Sequence, residues 1–243
     1  MVRPAEKEGW NRRHAVYVPV RMQSQMIAPP VRNNNARTWA ALIFVMFVFL
    51  PIRQITHWVS PTLTIQSACL REALILASAA GLLLYIHYVE KLPFSSVGFG
   101  TSRWWKSVTW GGVTALLCGA AAAAIIYVTK YTGGPHAHEM EELPLWLVVL
   151  IVSRAGFVEE LFFRGFAIER LSSLGWPRYA AALLPLTIFS LLHYTGGWEN
   201  IVIAFVLGGI LALFYLWRRD LVANIIAHFL VDFVANVVPR LGH

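Results

Sequence analysis

Residues 145–166 read LWLVVLIVSRAGFVEELFFRGF, a run long and apolar enough to cross a bilayer as one helix, which takes about 20 residues. Four charged side chains nevertheless sit inside it: Arg154, Glu159, Glu160 and Arg164. Working outward, comparable apolar runs occupy 39–58, 69–89, 108–128, 178–194, 199–217 and 220–238. Pro51 and Arg53 shorten the apolar core of the first. The pattern predicts an all-α, polytopic membrane helix bundle of about seven transmembrane helices. A basic cytoplasmic tail over residues 1–37 precedes a membrane-embedded helical domain over 38–243.

Composition agrees. The chain is 57% hydrophobic and only 14% charged, where a soluble domain carries about a quarter charged residues. The net charge of +7 does not point to nucleic acid, because the basic residues fall between apolar runs rather than on one face or tract. With the amino terminus inside, about fifteen Lys and Arg side chains fall on the cytoplasmic side. Only Arg53, Arg71, Lys130 and Arg240 fall outside. That bias follows the positive-inside rule, and the bilayer is the first expected partner. Cys69 and Cys118 lie in apolar runs without metal-ligand spacing and read as small buried hydrophobes. Leu92–Trp110 mixes Trp104, Trp105 and Trp110 with Arg103 and Lys106, which suits an interfacial segment leading into the third span.

The informative residues are the polar ones placed where lipid should be, since each charge in a span costs a few kcal/mol and usually faces the bundle interior. The fifth run ends IFSLLHY with Phe189 and His193, and the seventh carries Asn224, His228, Asp232 and Asn236 at four-residue spacing. Arg71 and Glu72 open the second, close enough to an interface to need no function. Glu160 and Arg164 are four apart and share a helix face. Glu159 is rotated about 100° from Glu160, so one acid is held by the arginine and the other is aimed elsewhere; either assignment fits. Counted from the turn near Gly175, Glu159 and His193 are level. His228 lies only about nine residues past the 218–220 turn, so it joins them only if the two turns sit at different depths.

A buried glutamate beside a neutral histidine takes a proton from water, and a second histidine can donate to an oxyanion. Glu, His, His and Asp are also ligands for a divalent metal such as zinc, although no H-E-x-x-H arrangement is present. Metal ligation is therefore permitted by these residues rather than indicated, and a cofactor such as zinc is not favoured.

Three motifs, E-E-x-x-x-R at Glu159–Arg164, F-x-x-x-H at Phe189–His193 and H-x-x-x-D at His228–Asp232, resemble in kind and order the CAAX-protease and bacteriocin-processing family of intramembrane proteases. The resemblance covers about Leu145 to Val238 and implies a catalytic core there. It implies an intramembrane endopeptidase, of glutamate type, cleaving a membrane-associated protein or lipid-modified peptide. In that reading Glu159 activates water with His193, His228 and Asp232 stabilise the oxyanion, Arg164 orients the glutamates and Glu160 supports them. It places the chain in a bacterial inner membrane, on substrates ranging from prenylated C-terminal tripeptides to bacteriocins and sorting tails. Two other classes use the same residues. A proton-coupled transporter predicts broken helices in paired halves, and a non-catalytic scaffold or immunity protein keeps the network for stability alone.

Overall fold

Pro51 has no N–H for the Phe47 carbonyl, and its ring crowds that same carbonyl, a geometry that breaks a helix. The first apolar run accordingly splits into α1 (Asn35–Phe47) and α2 (Phe49–Val59), which meet at 47°. The computed structural model describes residues 35–100, 103–133 and 140–242, and all regular structure among them is helical. The basic tail lies outside these residues up to position 34, as do His14, His136, His138, Glu139 and His243.

Thr64 and Ser67 form a reciprocal capping box that starts α3 (Ile65–Leu84), which runs on as a π-turn to Val89. A short 3₁₀ turn, Phe94–Val97, leads to α4 (Trp104–Thr129). The chain is then helical without interruption from Leu145 to Ser173: α5 (Leu145–Glu159), a π-helical stretch (Glu160–Ile168) and α6 (Glu169–Ser173). There follow α7 (Arg178–Leu191), α8 (Trp198–Arg218) and α9 (Leu221–Asn236). Asp220 caps α9 by accepting from the Ala223 N–H, and accepts from the Ser107 hydroxyl at 2.7 Å, which ties α9 to α4.

Each predicted span contains a helix, but the expected seven crossings are not all spans by length and apolarity. Among the described residues four helices qualify: Ile65–Val89, Trp104–Thr129, Trp198–Arg218 and Leu221–Gly242. The bent α1–α2 pair makes a fifth. At about 1.5 Å per residue, α7 is too short for a hydrocarbon core of about 30 Å. The α5 region is diluted by its four charges. Both have buried faces instead: Val158, Leu161, Phe162, Phe166, Ala181 and Phe189 lie in the main apolar core.

The difference in depth required of the two turns is present. Helices α5 and α9 run antiparallel in close contact, Gly156 against the backbone of Phe229 and Gly165 against the Leu221 side chain; a Cβ at Gly156 would stand 3.0 Å from the Phe229 nitrogen. The 218–220 turn is therefore level with Gly165, and the hairpin centred on Gly175 projects beyond it. The 94–99 segment, expected to anchor at the interface, fills that step. Val97 is buried, and the Gly98 carbonyl accepts from the Leu221 N–H at 3.1 Å. Arg170, itself buried, pairs with Glu90 at 2.6 Å and bonds the Ser96 hydroxyl. Arg219 pairs with Glu169 at 2.7 Å. Trp104 and Trp105 remain exposed at the start of α4.

Candidate active site

The boundary between α5 and the π-helical stretch falls between the two adjacent acids, Glu159 being the last α residue and Glu160 the first π residue. A π-insertion costs helical hydrogen-bond geometry and is frequent at functional sites. Here it separates the two adjacent acids, which helical geometry alone leaves interchangeable. Glu160 is the acid held by Arg164, at 2.8 Å, and its side chain is fully buried. Its Oε1 also accepts from His228 Nδ1 at 2.7 Å, and its Oε2 from Asn224 Nδ2 at 3.0 Å. Three donors on one buried carboxylate offset the loss of water that would otherwise exclude the charge.

Arg164 is fixed in turn. It donates to the Gly208 carbonyl at 3.1 Å and lies over the Phe189 ring, 4.4 Å from its centroid. A Cβ at Gly208 would come within 2.8 Å of the guanidinium; only glycine leaves that space. Arg164 thus orients Glu160, whereas a different arginine holds Glu159: Arg154 Nη1 stands 3.2 Å from Glu159 Oε1. Glu72 in α3 takes the other edge of the Arg154 guanidinium, Nε to Oε2 at 2.5 Å and Nη2 to Oε1 at 3.1 Å. The Arg71 Nε also reaches Glu72, at 3.1 Å.

His228 links the two acids. With Nδ1 on Glu160, its Nε2 faces Glu159 Oε2 at 3.9 Å and Asp232 Oδ2 at 3.6 Å. Those separations exceed direct hydrogen bonds and fit a bridging water or a reacting group. His193 is not on a helix, as the apolar run implied, but in the turn just past the end of α7. Its Nδ1 lies 2.8 Å from the Phe189 carbonyl. Because a carbonyl only accepts, Nδ1 carries the proton, and the Nε2 lone pair is left unprotonated in the neutral ring. The turn is itself held by Asn200, whose amide donates to the His193 carbonyl at 3.3 Å.

His193, His228 and Asp232 line one cavity of about 110 Å³, together with Phe189, Cys118 and Asn200. It adjoins a larger one of about 670 Å³ that shares His193, Asn200 and Asp232. All seven residues of the motifs are therefore in one neighbourhood: Glu159, Glu160 and Asp232 around His228, Arg164 behind Glu160 and over the Phe189 ring, and His193 across the cavity. Asn224 and Asn236, the other members of the polar stripe, diverge. Asn224 joins the Glu160 cluster, while Asn236 donates to its own helix at the Asp232 carbonyl.

Sequence reasoning missed Glu72, read as an interfacial residue, and Asn200, a lone amide near a turn. Arg154 was legible as a buried charge, but its two partners were not. Cys118 is buried as expected, yet it belongs to the cavity wall. A metal would need several convergent donors. Among the described residues no three His, Cys, Asp or Glu side chains are grouped in that way, and the His228 nitrogen nearest the cavity has its carboxylate neighbours at 3.6 and 3.9 Å.

Fold and site together define an all-helical membrane protein with a buried acid–arginine–histidine cluster beside an open cavity inside its bundle. Residues 141–234 match the family model described as Type II CAAX prenyl endopeptidase Rce1-like. The resemblance read from the three motifs is thereby shown over the segment that carries them, and it supports a protease-like function in the membrane. No curated protein and no solved structure matches the chain.

Proposed function

We propose that the protein is a peptidase that hydrolyses a peptide bond of a membrane-associated polypeptide with a water activated by Glu159 and His193. The observation that carries the reading is the position of His228, clamped by Glu160 through Nδ1 while its Nε2 faces Glu159, Asp232 and the cavity shared with His193. Glu159 Oε1 is taken by Arg154, so Oε2 is the free oxygen of the pair.

In the proposed step a water oxygen attacks the scissile carbonyl carbon, and its proton passes to Glu159. The π electrons of the carbonyl move to its oxygen. The protonated His228 ring, its charge balanced by Glu160, donates from Nε2 to that oxyanion. Such preorganised donors commonly supply the largest share of the rate enhancement. As the tetrahedral intermediate collapses, the C–N bond breaks and Glu159 returns the proton to the leaving amine. His193 accepts from the attacking water through its free Nε2. Asp232 acts by orienting His228 rather than by touching the oxyanion, because an ionised carboxylate would repel it. No step is routed through a metal.

A detergent-purified sample offered a farnesylated fluorogenic peptide with a C-a-a-X end, and the same peptide without the lipid, tests the reading. Cleavage of either, with a new carboxyl and a new amine identified by mass spectrometry, is expected. Absence of any cleavage by a folded sample would overturn the peptidase assignment.

A further inference from the structure

The two ends of the bundle differ in ways that bear on where the substrate enters. One end gathers the 173–178 and 218–220 turns, residues 90–100 and 103–104, and the start of α1. These are tied together by Arg178 to the Leu216 carbonyl at 3.0 Å, Arg219 to Glu169 at 2.7 Å, and Trp39 against Trp176 at 6.3 Å. Lys91, Arg103, Lys106, Arg170, Arg178, Arg218 and Arg219 lie there. The opposite end gathers residues 60–64, 130–133, 140–144 and 192–198 and the end of α9. It is tied by the Tyr131 hydroxyl to the Gly196 carbonyl at 3.1 Å, Arg240 to the Leu143 carbonyl at 2.9 Å, and Arg53 over the Tyr194 ring at 5.3 Å. Its basic residues are Arg53, Arg71, Lys130 and Arg240. Lysine and arginine in short loops mark the cytoplasmic side, so the first end is cytoplasmic and the second is not.

The larger cavity belongs to the second end. Its walls are Ala122 and Ile126 in the last third of α4, Asn200 and Ile203 in the first turns of α8, and Val231 and Ala235 in the last turns of α9. Tyr131, Thr132, Gly133 and Thr195 complete it at the loops. None of the described residues lining it comes from the cytoplasmic turns. His193 itself stands in the loop at this end, and the passage from Thr132 inward reaches His193 and Asp232 without crossing the bundle.

We infer that the catalytic cavity opens to the non-cytoplasmic face of the membrane, and that its substrate is a membrane-tethered polypeptide presented there. The inference rests on the cavity being the peptidase site. None of the described lining residues is a lysine or arginine. Apart from the site residues His193 and Asp232, the described walls are apolar with amide and hydroxyl groups, and they suit an uncharged, apolar stretch of chain.

Two kinds of cysteine variant test this in intact bacterial cells without using catalysis, so the result stands apart from any failure of the peptidase assignment. Thr132→Cys is exposed at the mouth, and Ser173→Cys is exposed at the other end. The wild-type chain, with Cys69 and Cys118, is the background. A membrane-impermeant maleimide is expected to label Thr132→Cys in intact cells and Ser173→Cys only after permeabilisation. Val231→Cys, deeper in the cavity, is expected to react from outside with a small charged thiosulfonate. Labelling of Ser173→Cys alone in intact cells would overturn the orientation. Labelled Thr132→Cys with a Val231→Cys that does not react from outside would overturn the open route to the site.

Discussion

The Glu72–Arg154–Glu159 chain gives the sharpest prediction. Glu72 occupies both the Nε and one Nη position of Arg154, which fixes the guanidinium plane and leaves Nη1 aimed at Glu159. Glu72→Gln keeps volume and shape but removes the charge and one acceptor oxygen. Arg154 is then free to turn, and Glu159 loses the hydrogen bond that selects its working oxygen. A hydrogen bond to a charged group is worth about 1.5–3 kcal/mol, and each 1.36 kcal/mol on a barrier is tenfold in rate. The expected loss in kcat is therefore about 10- to 150-fold. KM should stay within about twofold, because no contact to bound substrate is removed. Steady-state kinetics in detergent, with elution profile and thermal midpoint measured alongside, reads the effect. Arg154→Lys should show the same loss in kcat, since an ammonium cannot fork between two carboxylates. A folded Glu72→Gln protein with wild-type kcat would refute the reasoning, and so would a loss confined to KM.

Other outcomes follow from the same geometry. Gly208→Ala pushes a methyl to within 2.8 Å of the Arg164 guanidinium and should cost about 1–3 kcal/mol of stability through overpacking, read as a lowered thermal midpoint. Asn224→Ala removes the donor to Glu160 Oε2 and should reduce kcat about tenfold or more, as expected for an unsatisfied buried charge. Asp232→Asn keeps an acceptor near His228 Nε2, 3.6 Å away in the structure, and should retain activity within about tenfold if Asp232 only orients the ring. Overnight treatment with a strong chelator should leave the cleavage rate unchanged; loss restored by added zinc would reverse the choice of a metal-free mechanism.

What could be read from sequence was what depends on local period. Apolar runs located the helices, and four-residue spacing found the Glu160–Arg164 pair and the turn-by-turn stripe of α9. Pro51 and Arg53 mark the first apolar run as the weakest, but the α1–α2 bend itself is visible only in the structure. What depends on non-local packing could not be read. Glu72 looks like an interfacial residue until α3 is placed against α5, because a carboxylate near a helix end is ordinarily solvated. His193 looked helical because Leu191 and Leu192 continue the apolar run, yet α7 stops at Leu191 and the His193 ring serves the carbonyl of Phe189. The π-helical stretch after Glu159 has no sequence signal in its apolar composition. Local period also leaves the depth of His228 relative to Glu159 undetermined. That depth is set because Val97 and Gly98 are packed into the step between the two turns, a contact between segments more than a hundred residues apart.

The most direct test of the central claim is the cleavage rate of Glu159→Gln against wild type, on whichever form of the reporter peptide the wild-type protein cleaves, with folding verified for both. Glutamine keeps the acceptor toward Arg154 but cannot take a proton from water. General-base catalysis alone contributes about 10²–10⁴-fold, and a loss in that range or greater, with unchanged thermal stability, is predicted. A folded Glu159→Gln protein that cleaves the peptide at the wild-type rate would contradict the account.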